Sequence, residues 1–163
     1  MRIDFPPLSS IPAAAWLKLL NHKDVHRHMP LAGAGWTEQQ AAEWAEAKDA
    51  QWHENGYGPW AIVIDGELAG WGGFQKEDAD VDFALVLLPA FWGIGRVLHD
   101  TMLAKGFDEL GFDSVTIMLP PSRVRLKSLA RLGYRPDGEL EYAGHRFLKF
   151  RLNRPIAPVR SVT

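Results

Sequence analysis

The spacing of hydrophobic and polar residues predicts two helices in the first third of the chain. Residues 13–20 have helical composition, and residues 37–40 form a capping box that predicts the start of a second helix. Behind that box, long side chains recur every four positions, at Gln40, Trp44, Lys48 and Trp52. Residues 21–35 lack a clear period, which predicts a loop or a broken helix between the two.

Strand patterns follow in the middle of the chain. Two apolar runs, at 60–64 and 68–74, flank Asp65-Gly66, which is the strongest short-range signal for a β-hairpin. Residues 82–88 are nearly all apolar, as expected of a central strand covered on both faces. The composition of residues 114–119 predicts one further strand.

The last part of the chain predicts two more helices and a final hairpin. The segment after Gly95 carries an apolar stripe at Leu98, Met102, Leu103, Phe107 and Leu110. Residues 122–132 have the pattern of a short helix with Gly133 as its C-cap. Residues 134–152 have the pattern of a hairpin around Ala143-Gly144.

The predicted order of elements, β-α-α-β-β-β-α-β-α-β-β, describes one mixed α/β domain at 1–153 with a tail at 154–163. A chain of 163 residues is long enough to bury a substantial core.

The net charge of -2 gives no reason to expect a nucleic acid or an acidic membrane as partner. The absence of cysteine excludes disulfides and thiolate chemistry. No apolar run is long enough to span a bilayer, and we expect a cytoplasmic location.

The most informative stretch is Phe91-Trp92-Gly93-Ile94-Gly95-Arg96-Val97-Leu98, between the strand at 82–88 and the next helix. A glycine-rich turn at a helix start leaves backbone N–H groups unpaired at the positive end of the helix dipole, where phosphate binds. A dinucleotide fold would need a third glycine at Leu98 and an acidic residue near Met118-Leu119. A P-loop would need Gly-Lys-Ser/Thr where the chain has Gly95-Arg96-Val97. The third alternative is the pyrophosphate turn of an acetyltransferase.

The segment Pro89-Ala90-Phe91-Trp92-Gly93-Ile94-Gly95-Arg96-Val97 resembles the coenzyme A loop of the GCN5-related N-acetyltransferases (GNAT family). It is most similar to the branch that acetylates ribosomal-protein N-termini. Three further segments resemble that branch in the same order, at 25–30, 58–70 and 129–134, so the resemblance covers roughly residues 2–152. It implies the acyl-CoA N-acyltransferase fold, a mixed and mostly antiparallel sheet with flanking helices. In that fold the strands at 82–88 and 114–119 would splay into a V.

The resemblance also implies which residues bind acetyl-CoA as co-substrate. The pantetheine arm would lie in the V and pair like an added strand with backbone groups of Leu85, Val86 and Leu87. Its pyrophosphate would be bound by the N–H groups of Trp92, Gly93, Ile94, Gly95, Arg96 and Val97. Ser122 matches a family asparagine that touches the pantetheine, and it would also cap the next helix.

Acetyl transfer requires that the acceptor amine lose a proton. Free amines have pKa values between about 8 and 10.4, so a carboxylate acting directly or through water would serve as base. Asp82 matches an acidic position of the family and is the candidate for this role. A backbone N–H near Val86 or Leu87 would stabilise the charge that develops on the thioester oxygen. Many members reprotonate the departing thiolate with a tyrosine, and this chain has Leu129 in that place.

The resemblance therefore implies an N-acetyltransferase that acts on a primary amine, either a protein N-terminus or a small molecule, by direct attack on acetyl-CoA. The change at Leu129 keeps an alternative open, a non-catalytic acyl-CoA-binding or sensor domain of the same fold. His28 and Trp71 are candidates for the acceptor pocket. No metal is predicted, because cysteine is absent and His26 and His28 form only a loop pair. Family members often pair through edge strands or the last hairpin, which leaves a homodimer open.

Overall fold

One sheet of seven strands organises the molecule. The structure, a computed structural model, describes residues 1–28 and 35–156, with the backbone alone at 26–28. Its strands are β1 (Ile3–Asp4), β2 (Pro59–Ile64), β3 (Glu67–Glu77), β4 (Asp80–Leu87), β5 (Ser114–Leu119), β6 (Arg135–Tyr142) and β7 (His145–Asn153). They lie in the order β1-β2-β3-β4-β5-β7-β6. Only the β4–β5 pair is parallel, which confirms the predicted mixed and mostly antiparallel sheet.

Five α-helices flank this sheet in the described part of the chain. They are α1 (Ala13–Leu20), α2 (Lys23–His28), α3 (Glu38–Asn55), α4 (Gly95–Ala104) and α5 (Leu126–Leu132). Short 3-10 helices precede three of them, at Leu8–Ser10, Pro89–Ile94 and Pro121–Arg123, and α4 continues into a π-helical turn at Lys105–Glu109. The predicted capping box is confirmed, because the Thr37 side chain accepts from the Gln40 backbone and the Gln40 side chain accepts from the Thr37 backbone.

The two faces of the sheet bury two hydrophobic cores. On one face, α4 and α5 supply Leu98, Met102 and Leu129 to a core that includes Phe83 and Leu87 of β4. On the other face, α1 and α3 pack tryptophan and alanine side chains against the remaining face of the same strand. This second core contains Trp16, Ala41, Ala45, Trp71 and Val86. Because β4 is covered on both sides at its end, the prediction of a central strand is confirmed.

Two local predictions have different outcomes. The Asp65-Gly66 hairpin is confirmed, and both residues adopt the positive φ values, 49° and 82°, that a tight hairpin turn requires. The helix predicted over 122–132 is wrong at its start, since α5 begins only at Leu126. Val124 is extended there, with a ψ of 126°, and Arg125 is also outside helical geometry, with a ψ of 87°. Val124 packs against the first core, which draws the chain out of the helix.

The predicted V between β4 and β5 is present. The two strands share a single bridged pair, Asp82 with Thr116. Beyond that pair β5 keeps its full register with β7, from Ser114 opposite Asn153 to Leu119 opposite Leu148, while β4 stays with β3. The facing edges of 83–87 and 117–119 therefore diverge from each other, and the gap between them opens toward the start of α4.

Candidate active site

A cavity of about 320 Å³ lies at the open end of the V, within the size range of small-molecule sites. Its wall on the β4 side is Leu85, Val86 and Leu87. The start of α4, helix α2 and the turn after β5 close the other sides, with Trp92, Gly95, Val25 and Arg123. The structure thus brings five of the predicted coenzyme-binding residues to one cavity, and it adds Val25 and Arg123, which the sequence analysis did not single out.

The glycines at the start of α4 are not required by the fold. Gly93 does not have a positive φ, and Gly95 has helical angles of -55° and -38°. A Cβ built on Gly93 would meet nothing within 4 Å, and one on Gly95 would meet only a Leu87 methyl group at 3.9 Å. Neither backbone conformation nor protein packing explains these residues. They leave open space beside the cavity, as a group that must approach the backbone closely would need.

The start of α4 has the electrostatics of an anion site. Ile94, its N-cap, makes no side-chain capping hydrogen bond, and no acidic residue lies in the first turn. The backbone N–H of Gly95 is already used, because it donates to the Trp92 carbonyl within the 3-10 turn at Pro89–Ile94. The helix dipole and the uncapped N–H groups that follow would attract phosphate. Arg96 lies here too, but its guanidinium pairs with Asp100 at 3.0 Å on the surface.

Trp92 shapes the mouth of the cavity. Its indole N–H donates to the Leu87 carbonyl at 2.9 Å, so the ring folds back over the end of β4. The residue is nevertheless 47% exposed, and Val97 on the next turn is 49% exposed. Large apolar side chains with that exposure next to a cavity offer a surface for a ligand.

Asp82 lies at the root of the V, on the same face of β4 as Val86. It is 8% exposed and accepts a hydrogen bond from the Thr116 hydroxyl at 3.2 Å. Burial raises the pKa of Asp82 to about 7, while the Thr116 hydrogen bond opposes the rise. A carboxyl group that is half ionised near neutral pH can take up and release a proton, as a general base must.

A charged network lies next to Asp82 along the same face. Asp80 accepts from both Lys149 and Arg151 of β7, and Arg151 also binds Asp137 at 2.9 Å. The hydrogen bonds from Lys149 and Arg151 hold the pKa of Asp80 below its usual value. These four charges compensate one another, whereas Asp82 makes no ion pair within the described residues.

The remaining predicted site residues have varied positions. Trp71 is buried beside Val86, its partner across the β3–β4 pair, and packs edge-on against Trp44 at 5.8 Å. It does not line the cavity. Ser122 lies in the 3-10 turn beside the cavity and does not cap α5, whose N-cap is Arg125 without a side-chain bond; the predicted cap is wrong. The side chain of His28 lies outside the described residues.

Two further positions bear on the chemistry. Leu129 is buried in the first core and has no proton to donate. Nearby, the Tyr134 hydroxyl lies 2.9 Å from His99 Nε2, and burial raises the pKa of that tyrosine. No cluster of metal-ligating side chains is found among the side chains that the structure describes, at 1–25 and 35–156. His22 and His26 are four positions apart, but His22 precedes α2 and its Nδ1 accepts from the Asp24 backbone.

Comparison with known proteins decides the family. The protein-family model of the acetyltransferase (GNAT) domain matches residues 2–128 of the chain. The chain belongs to the GNAT acetyltransferase family. The finer resemblance to the ribosomal N-terminal branch stays a prediction. None of the helices in the described ranges combines the length and apolarity that a membrane span requires.

Solved structures share the fold of this GNAT protein over nearly its whole length. A GNAT-family protein from Bordetella pertussis matches with a TM-score of 0.73 and 22% identity, over 93% of this chain and 95% of the other. An acetyltransferase of the GNAT family from Bacillus anthracis has a TM-score of 0.72 and 14% identity, over 94% and 95%. Spermidine N-acetyltransferase from Vibrio cholerae, in complex with CoA and spermine, has a TM-score of 0.72 and 13% identity, over 93% and 95%.

Proposed function

We propose that this GNAT protein transfers an acetyl group from acetyl-CoA to a primary amine, which attacks the thioester directly. The observation that carries the proposal is the parting of β4 and β5 beyond Asp82 into a cavity that ends at the start of α4. A thioester on a long, flexible arm needs a narrow channel between strands, and a carboxylate at the closed end suits the incoming amine. Other members of the family are acetyltransferases, which supports the same reaction.

The donor would lie along the edge of β4. The edge of β4 at Leu85, Val86 and Leu87 has no partner in β5, and it would offer backbone groups to the amide groups of the pantetheine arm as the neighbour of an added strand does. The diphosphate would rest against Gly93 and Gly95, where no Cβ intervenes and the helix dipole is favourable. Binding of this kind depends on backbone and shape, so a change that fills the space at Gly95 would weaken it strongly.

Asp82 would act as the base. An ammonium group loses its proton to the Asp82 carboxylate, directly or through a water, and the neutral nitrogen attacks the acetyl carbonyl carbon. The C–N bond forms and the C–S bond breaks, and the second proton of the attacking nitrogen passes to the departing sulfur, directly or through water. The products are the amide and CoA thiol. The pKa of about 7 for Asp82 suits this task at neutral pH, since it leaves a large ionised fraction with useful basicity.

The leaving group needs little help. The thiolate of a thiol with an ordinary pKa, near 8.5, takes up a proton at neutral pH without a dedicated acid. The absence of a donor at Leu129 is therefore compatible with turnover. A backbone N–H near Val86 or Leu87 would stabilise the oxyanion while the bonds change.

The acceptor is an amine that can bring its cation to Asp82. Because the neighbouring charges of Asp80 and Asp137 are neutralised by Lys149 and Arg151, an acceptor ammonium would supply the missing counter-ion of Asp82. The CoA and spermine complex of the Vibrio cholerae protein makes polyamines one class to test, and the resemblance to the ribosomal branch makes peptide N-termini another. The proposal concerns the domain at 1–153; a cytoplasmic location and a homodimer stay predictions.

Release of CoA thiol from acetyl-CoA in the presence of a panel of amines tests the proposal. The chain contains no cysteine, so a thiol reagent reports only the product. We expect turnover with at least one polyamine or peptide, and a loss of at least about 100-fold in kcat for Asp82→Asn. Asp78→Asn, at the exposed turn before β4, is the matched control and should leave kcat unchanged. Tight acetyl-CoA binding without thiol release for any amine would support the non-catalytic alternative instead.

A further inference from the structure

Arg123 lines the cavity, and its side chain has no partner among the residues that the structure describes. It is the last residue of the 3-10 turn after β5, on the opposite side of the V from Gly95 and Trp92. Its backbone N–H donates to the Pro120 carbonyl, but within the described residues its guanidinium makes no hydrogen bond and no ion pair. The side chains of Arg96, Arg146, Arg151 and Arg154 all have such partners. The residue is exposed, although partial burial of its guanidinium lowers the pKa of that group. The charge is therefore accessible to a ligand in the cavity.

Two positive features thus face one cavity from opposite walls, the Arg123 guanidinium and the uncapped start of α4. The carboxylates nearest to that helix start are already engaged, since Asp100 binds Arg96 and His99. The described part of the cavity wall has no anionic side chain to balance these two positive features. Besides Arg123, the wall consists of Val25, Leu85, Val86, Leu87, Trp92 and Gly95. The cavity is therefore complementary to a ligand with negative charge at this point.

We infer that Arg123 binds the diphosphate of coenzyme A from the β5 side of the V and thereby selects donors that carry it. This inference rests on the proposed function, which puts the diphosphate against Gly93 and Gly95. A planar guanidinium can donate two parallel hydrogen bonds to phosphate oxygens, which lysine cannot do. The donor would then be held by charge as well as by backbone, and phosphate-free pantetheine thioesters would be poor substrates.

The test compares three probes, CoA, dephospho-CoA and pantetheine, by calorimetry or by competition against acetyl-CoA. For Arg123→Ala we expect the Kd of both CoA and dephospho-CoA to rise by about 10-fold to 100-fold, as for loss of a charge-assisted hydrogen bond. Pantetheine binding should not change, because it has no diphosphate. Arg123→Lys should lie between the wild type and the alanine variant. Arg131→Ala, an exposed arginine on α5, is the matched control and should bind all three as the wild type does.

The outcomes separate this inference from the proposed function. Unchanged CoA affinity in Arg123→Ala, with normal folding by circular dichroism, overturns the inference and leaves the proposed function intact. A loss for CoA but not for dephospho-CoA also overturns it, because the guanidinium would then contact the 3′-phosphate. A raised KM for the amine with unchanged CoA affinity overturns it in favour of the acceptor. Failure of the wild type to bind CoA at all would instead contradict the proposed function.

Discussion

Asp80 and Asp82 lie two positions apart on one face of β4, yet their surroundings move their pKa values in opposite directions. Hydrogen bonds from Lys149 and Arg151 lower the pKa of Asp80, whereas burial raises that of Asp82 to about 7. Such a contrast between neighbouring carboxyl groups is how a protein separates a structural acid from a reactive one. The buried carboxyl group at the root of the V is thus kept at a cost in stability.

The pH dependence of stability tests this contrast. The folded-state pKa of Asp82 lies above the unfolded value, so its contribution to stability falls as pH rises from about 4 to about 7, by up to about 4 kcal/mol. Asp82→Asn removes that loss, and the variant should become more stable than the wild type at pH 8. Denaturant unfolding at pH values from 4 to 8 measures the difference.

Asp80→Asn is the matched control with the opposite sign. The folded-state pKa of Asp80 is lowered, so its contribution is present at neutral pH and is lost as pH falls. We expect this variant to be less stable than the wild type at pH 7 and to approach it in acid. An Asp82→Asn variant that follows the same course would show that Asp82 is an ordinary ion-pairing carboxylate.

At the scale of elements, the start of α4 has two glycines that weaken the fold. Gly95 occupies a helical position where alanine would be more stable by about 0.5–1 kcal/mol, and a Cβ on Gly93 would project into open space. Gly70 of β3 differs from them, because a Cβ there would clash with the Val86 carbonyl oxygen. Gly70 is therefore required by the sheet, whereas we propose that Gly93 and Gly95 are required by the ligand.

Alanine substitution should therefore separate binding from stability. Gly93→Ala and Gly95→Ala should leave the free energy of unfolding unchanged or raise it by up to about 1 kcal/mol, and both should weaken CoA binding. Gly70→Ala should lower stability, because β3 and β4 would have to separate. Thermal unfolding and calorimetry on the same samples give both quantities. Retained CoA affinity in Gly95→Ala and Gly95→Trp together would exclude this helix start as the diphosphate site.

The elements that the sequence predicts well are those fixed by neighbours along the chain. The Thr37 capping box and the Asp65-Gly66 turn depend on contacts within a few residues, and both are present. The start of α5 was predicted wrongly because the packing of Val124 on the first core overrides local helical preference. The glycine-rich turn also predicted that Trp92 would lie at the cavity. The position of Arg123 there depends on which strands diverge, and no local pattern contains that information.

At the scale of the whole molecule, β4 and β5 separate because β5 pairs along its whole length with β7 and hardly at all with β4. Its full pairing with β7 leaves one bridged pair, Asp82 with Thr116, to join the two halves of the sheet. If the strands closed, continuing that parallel register would bring Ala84 opposite Met118. If the pantetheine arm binds between the two strands, it must prevent this closure.

A disulfide between these two positions tests that requirement, and the absence of native cysteine makes it the only intramolecular disulfide possible. In the Ala84→Cys/Met118→Cys variant, we expect saturating CoA to slow disulfide formation, and the oxidised protein to lose CoA binding. Reduction should restore it. Each single cysteine variant under the same oxidant serves as control. Unimpaired binding by the fully oxidised protein would mean that the ligand lies outside the V.

The most direct measurement is a crystal structure of the protein with CoA. We expect density for the pantetheine arm between 85–87 of β4 and 117–119 of β5, with the diphosphate against Gly93 and Gly95. The sulfur should lie toward Asp82 and Thr116. Strands joined along their full length, or CoA bound on any other face of the molecule, would contradict this expectation.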